Sequence, residues 1–165
     1  MSEPKAVEEK INEVLSGDAL KNALDFVAFL RANGITPEGH GDFGGAVMYA
    51  NVSVGYLVVN GAAEFPGPWT MWFNSCEFGD NGPVDDALKE TAWAHASVCG
   101  HFSSGGKHCG CGDQPGFRRT IFGKVFENRC HSPLMFWNPD AKTLEHVKTL
   151  LLMLAQNIPD TRRPT

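Results

Sequence analysis

The amino-acid sequence predicts an α+β domain: two N-terminal helices, an antiparallel sheet of four to five strands, a middle helix, a Cys-rich metal-binding loop and a C-terminal packing helix. Three observations predict it. Apolar residues recur at helical spacing near both ends of the chain. Short segments rich in Val, Tyr and Trp alternate with turn residues in the middle. Four of the five cysteines fall between positions 99 and 130, in a segment whose first half is rich in Gly and Ser.

The composition is typical of a globular protein, with 42% hydrophobic and 20% charged residues in a chain of 165. This length favours a single domain over 1–165, with a helical pair over 1–33, an α+β core over 45–158 and a tail over 159–165. A net charge of −5 argues against nucleic acid as a partner, because phosphate binding needs a basic face. With no run of 18 apolar residues and no secretory signal, we expect no membrane association and a cytoplasmic location.

Helical spacing of apolar residues predicts helices over 4–15, 18–32, 84–97 and 139–157. The last is introduced by Asn138, Pro139 and Asp140, which would supply a cap, a first-turn proline and an acidic residue. The third would run directly into Cys99 and so deliver a candidate ligand on a rigid element.

Strand-forming residues predict strands over 46–51, 53–60, 68–74, 119–129 and 134–137. The short links between the first three indicate an antiparallel meander. Gly123 is expected to mark a bulge, and Pro133 is expected to break the chain between the last two strands.

The cysteine pattern predicts a zinc site with Cys99, Cys109, Cys111 and Cys130 as ligands. Thiolates that converge on one ion would order a loop too poor in apolar residues to order itself, and Gly110 allows Cys109 and Cys111 to approach the same ion. His101 or His108 is the alternate ligand. Free thiols or redox disulfides are the competing interpretation. The fifth cysteine, Cys76, follows an apolar run and is expected to be a buried thiol.

Three functions remain open at this point. Four thiolates would close the metal shell and indicate a non-enzymatic, zinc-stabilised module that binds a small ligand or a partner protein. An enzyme would use Cys99, Cys109 and Cys111 with a water molecule, beside His101 or Glu127. A redox or metal sensor would form reversible Cys109–Cys111 or Cys99–Cys130 bonds. The chain lacks the H-E-x-x-H, Walker, dinucleotide-binding and G-x-S-x-G motifs, which favours the first.

Aromatic residues are the other feature of the sequence. Alternation along 68–74 places Trp69 and Phe73 on one sheet face and Trp72 on the other. The candidate ligand-binding residues are Trp69, Trp72, Trp93 and Trp137. They would line a cleft between the sheet and the helices for a small organic molecule, and core packing is the competing interpretation.

The pattern C-G-x…C-x-C…T-I-F-G-K-x-F-x-N-x-C, followed by F-x-N-P-D and a helix, resembles small uncharacterised bacterial proteins. The resemblance covers about residues 65–157. Those proteins carry cysteines at the same places, which supports the same choice of metal ligands. The resemblance identifies no catalytic residue.

Overall fold

The computed structural model describes residues 6–39, 44–59, 66–80, 82–99 and 116–159. In this part of the chain the helices are Val7–Val14 (α1), Gly17–Ala32 (α2), Asp86–Ala94 (α3) and Ala141–Gln156 (α4). The strands are Thr36–Pro37 (β1), Gly44–Tyr49 (β2), Val52–Val59 (β3), Trp69–Phe73 (β4), Ala96–Val98 (β5), Phe117–Ile121 (β6) and Lys124–Trp137 (β7). The predicted α+β class is confirmed, but the described sheet has seven strands rather than four to five.

The sheet is antiparallel throughout and is organised by β7. Its strand order is β1-β2-β3-β4-β7-β5, and β6 pairs with β7. The C-terminal half of β7 lies between β4 and β5, whereas its N-terminal half forms a hairpin with β6. The predicted meander of β2, β3 and β4 is confirmed.

Two tight turns fix the register of the hairpins. Ala50 and Asn51 join β2 to β3 with φ values of 49° and 61°. Phe122 and Gly123 join β6 to β7 with φ values of 47° and 79°. A positive φ at both central residues is typical of a type I′ turn, whose twist matches that of the strands. The bulge expected at Gly123 is therefore wrong, because this glycine completes a hairpin turn.

The hydrophobic core lies between one face of the sheet and the helices. Trp69, Met71 and Phe73 of β4 are fully buried, whereas Trp72 is only partly buried, so the predicted alternation is confirmed. Helices contribute fully buried side chains to the same cluster, among them Ile11, Phe26, Leu30, Leu144, Val147, Leu150 and Leu151. None of the described helices has the length and apolar composition needed to cross a membrane.

The middle helix is shorter than predicted. It ends at Ala94, and the chain continues as β5, so Cys99 follows a strand rather than a helix. The reason is tertiary: the backbone after Ala94 finds a partner in β7, where Met135 N–H donates to His95 O at 3.2 Å and Ala96 pairs with Leu134. Gly and Pro, the usual local signals for the end of a helix, are absent between residues 84 and 98.

The break expected at Pro133 is also wrong, because β7 runs without interruption through it. Proline removes one backbone donor, which is tolerated where strand pairing is irregular. Pro133 lies in such a stretch: the register of β5 and β7 shifts between the pairs Ala96–Leu134 and Val98–Arg129. Cys130 consequently lies within β7 rather than at the end of a strand.

The C-terminal helix begins at a different cap from the one predicted. Asp140, not Asn138, is the N-cap residue of α4, and its Oδ1 accepts a hydrogen bond from Thr143 N–H at 2.7 Å. This hydrogen bond from Thr143 lowers the pKa of Asp140. Asn138 instead adopts a positive φ of 40° in the turn that precedes the cap.

Candidate metal centre

The structure describes two of the four predicted ligands, Cys99 and Cys130, and both are free thiols. Cys109, Cys111 and the alternates His101 and His108 lie outside the described residues. Within the ranges that the structure describes, no three or more His, Cys, Asp or Glu side chains form a group able to hold a metal ion.

Cys99 and Cys130 occupy diagonal positions on paired strands. Val98 of β5 is paired with Arg129 of β7, and each cysteine follows one member of that pair. The N–H of Cys99 donates to Asn128 O at 2.8 Å, which continues the pairing by one residue. The register of β5 and β7 is irregular here, and Asn128 has a positive φ of 54°. Diagonal neighbours of an antiparallel pair lie on the same sheet face, which is the arrangement that two ligands of one zinc ion need.

Gly116 lies beside Cys99, so the two described residues that flank 100–115 are in contact. A Cβ added to Gly116 would lie 3.0 Å from Cys99 Cβ and 2.8 Å from the Cα of Asn128, so only glycine fits at this approach. Cys99 and Gly116, the described residues on either side of 100–115, therefore lie next to each other. Cys109 and Cys111 belong to the part of the chain that joins them.

Two arginines, Arg119 of β6 and Arg129 of β7, lie on the hairpin that contains Cys130. Arg129 Nη1 donates to Ala96 O at 3.1 Å, and Arg119 Nη2 donates to His131 O at 3.2 Å. The Nε atoms of both arginines are buried and have no hydrogen-bond partner among the described residues. Positive charge at this end of the sheet would offset the net negative charge of a metal ion bound by several thiolates.

The remaining titratable groups nearby are already engaged or exposed. The carboxylate of Glu127 lies 3.3 Å from Arg118 Nε in an exposed ion pair. His131 is exposed, with its ring centroid 5.7 Å from that of Phe117. Glu127, proposed with His101 as a neighbour of an open metal site, therefore has a cationic partner in Arg118.

Cys76 is buried in the hydrophobic core, as predicted. Its Sγ lies 3.9 Å from Thr120 O, and burial raises its pKa. A thiol of this kind stays protonated near neutral pH and behaves as a small apolar side chain.

The structure brings two of the four candidate tryptophans together. Trp72 and Trp137 form an edge-to-face contact, with centroids 6.4 Å apart, on the sheet face opposite the core. Trp69 is fully buried with its ring 6.0 Å from that of Phe26, and Trp93 Nε1 donates to Ile121 O at 2.7 Å. Gly116 and Asn128 are not recognisable from the sequence, because a close approach between distant segments leaves no local pattern.

Comparison with protein-family models, with curated proteins and with solved structures found no match to this chain. Function is therefore inferred from the geometry at the base of the Cys-rich segment.

Proposed function

We propose that this protein is a non-enzymatic cytoplasmic module in which one structural zinc ion orders the Cys-rich segment, so that the domain can bind a partner protein or a small ligand. Cys99, Cys109, Cys111 and Cys130 are the proposed ligands, with His101 or His108 as the alternate. The observation that carries the proposal is the diagonal placement of Cys99 and Cys130 on paired strands.

The contact between Cys99 and Gly116 supports this ligand set. Because the two residues that flank 100–115 already lie side by side, cysteines between them lose less conformational entropy on binding an ion beside Cys99. A set of four thiolates is typical of a closed structural zinc site.

One observation favours this function over the enzyme. An enzyme with Cys99, Cys109, Cys111 and a metal-bound water would need a base beside the ion, and Glu127, one of the two residues proposed for that place, is exposed and forms an ion pair with Arg118. The redox sensor is distinguished by the reactivity of the thiols.

Metal analysis of purified protein tests the proposal. We expect one zinc ion per chain, and we expect Cys99→Ser, Cys111→Ser and Cys130→Ser each to lower zinc retention in the presence of a competing chelator. Cys76→Ala is the matched control, because its thiol lies in the core, and it should retain zinc fully. Unchanged zinc content in Cys111→Ser or Cys130→Ser would show that the ligand set is wrong.

Cobalt substitution distinguishes a closed shell from an open one. Four thiolates should give the absorption of tetrahedral cobalt with sulfur-to-metal charge transfer, and added azide should leave that spectrum unchanged. An azide-dependent change would indicate a position held by solvent and would favour the enzyme.

Thiol mapping addresses the third function. In the zinc-loaded protein, iodoacetamide should modify none of the proposed ligands, and mild oxidant should form no disulfide. After chelation these thiols should become reactive, whereas burial should keep Cys76 unmodified in both states. A Cys99–Cys130 or Cys109–Cys111 bond that forms reversibly while zinc is present would favour a redox sensor.

A further inference from the structure

The outer edge of β7 beside the β6–β7 hairpin has no partner strand among the described residues. Arg129 is paired with Phe117 of β6 on one side and with Val98 of β5 on the other. From Arg129 back to Lys124, β6 remains paired with β7. The pairing of β7 with β5 ends at the hydrogen bond between Cys99 N–H and Asn128 O. From Lys124 to Glu127, β7 therefore presents one edge that no described strand covers.

Hairpin geometry determines which backbone groups point to that edge. In a two-residue hairpin the pair that closes the turn, here Ile121 and Lys124, exchanges hydrogen bonds, and alternate residues follow the same pattern. The backbone groups of Lys124 and Phe126 consequently face β6. Those of Val125 and Glu127 point away from it, and the Val125 side chain is 46% exposed.

The same hairpin is basic in an otherwise acidic chain. Between Gly116 and His131 four basic side chains accompany a single carboxylate, although the whole chain has a net charge of −5. The ammonium of Lys124 lies 5.0 Å from the Trp93 ring centroid, and the guanidinium of Arg129 lies 5.0 Å from that of Phe126. Neither forms an ion pair with a carboxylate in the part of the chain that the structure describes.

We propose that the β7 edge from Lys124 to Glu127 is the docking site for an extended acidic segment of a partner protein, which adds a strand to the sheet. Main-chain hydrogen bonds to Val125 and Glu127 would supply affinity, and side chains that alternate between carboxylate and apolar would meet Lys124 and Val125 on the two faces. Arg118 forms an ion pair with Glu127, the single carboxylate between Gly116 and His131, and so reduces its repulsion of such a segment.

Charge selects this partner over two others. A second copy would bring a hairpin of the same positive charge alongside the first, and like charges on adjacent strands are destabilising. A nucleic acid strand extends beyond a local basic patch and would meet the acidic remainder of the chain, whereas a short peptide can lie within the hairpin.

The proposal rests on the proposed role as a binding module and not on the metal, so the two can fail separately. The probe is a short peptide, blocked at both ends, that alternates glutamate and valine, added to protein whose zinc content has been measured. We expect hydrogen exchange at the amides of Val125 and Glu127 to be fast in the free protein and to slow by at least about tenfold with bound peptide. The amides of Lys124 and Phe126 should be protected in both states.

Variants of the exposed edge give a second readout, measured by fluorescence anisotropy of the labelled peptide. Val125→Pro removes an outward N–H without breaking a bond to β6, so binding should be lost. Val125→Thr keeps that N–H and should still bind. Lys124→Glu should weaken binding about fivefold, as expected for reversing one exposed charge.

Three outcomes would overturn the docking site: protection of the Val125 and Glu127 amides in the free protein, equal binding of a peptide that alternates lysine and valine, and tighter binding of a single-stranded oligonucleotide. If zinc-loaded protein fails to bind the peptide, the docking site is wrong and the metal proposal stands. If zinc-free protein binds the peptide normally, the docking site stands without the metal.

Discussion

The rings of Phe122 and Phe78 stack with their centroids 5.0 Å apart and their planes within 14° of parallel. Phe122 is the first residue of the β6–β7 turn and has a φ of 47°, a backbone conformation that residues other than Gly, Asn and Asp rarely adopt. Contact with the buried Phe78 thus holds a bulky residue in an unfavourable backbone conformation. This contact ties the hairpin that carries the proposed docking edge to the core.

We expect Phe122→Gly to be more stable than Phe122→Ala, although Gly usually destabilises a protein relative to Ala. Both variants lose the ring, but only Gly adopts the left-handed backbone without strain, so its free energy of unfolding should be about 1 kcal/mol higher. Denaturant unfolding measures both values. A double-mutant cycle with Phe78→Ala should give a coupling of about 0.5–1.5 kcal/mol, and a coupling near zero would mean that the rings are adjacent without stabilising each other.

Gly116→Ala should push residue 116 away from Asn128 and Cys99. Its new methyl group would lie 2.8 Å from the Asn128 backbone, which must move, so we expect a loss of about 2–3 kcal/mol in the free energy of unfolding and weaker zinc retention. Gly123→Ala is the matched control. It has open space around the added methyl group but a φ of 79°, so it should cost about 1 kcal/mol and leave zinc retention unchanged. Equal zinc retention in the two variants would contradict the proposed role of Gly116.

Asp140→Ala should destabilise α4 in a manner that depends on pH. The hydrogen bond from Thr143 N–H lowers the pKa of Asp140 in the folded protein, so its stabilising contribution is present above its unfolded pKa and is lost as the pH falls through the lowered value. The difference in melting temperature between wild type and Asp140→Ala should therefore shrink in acid. Asp140→Asn retains an acceptor that does not titrate and should keep its stability over that range. A difference that stays constant below pH 4 would mean that the cap does not depend on the charge.

The predicted helices and hairpins were correct where a local pattern was enough. The apolar stripe of α1 and the alternation in β4 each place side chains on one face, whatever their partner is. The errors at residues 95–98 and at Pro133 both have a tertiary cause. Residues 96–98 form a strand because they pair with β7, and β7 continues through Pro133 between its pairing with β6 and its pairing with β4. The helix cap was assigned to Asn138 instead of Asp140, because both residues are suitable caps and only the direction of the backbone at each distinguishes them.

The candidate metal site, like the fold, could be predicted only in part from the sequence. The cysteine cluster is visible from residue spacing alone, since Gly and Ser between thiols are a local property. The diagonal placement of Cys99 and Cys130 is not, because it depends on an irregular register that joins strands 31 residues apart in the sequence. The same holds for the basic edge of β7, where the ammonium of Lys124 lies over the ring of Trp93, which belongs to α3.

By itself, the sequence determined the class of fold, the apolar faces of its helices and central strands, the burial of Cys76 and the choice of thiols as candidate ligands. These features depend on the period of the side chains and on composition, which any short stretch of chain carries. Tertiary structure alone decided that β7 continues through Pro133, that Gly116 returns beside Cys99 and that one edge of the hairpin has no described partner strand. Each of these depends on which distant backbone groups satisfy one another's hydrogen bonds, and that information resides in the pairing of strands rather than in any one segment.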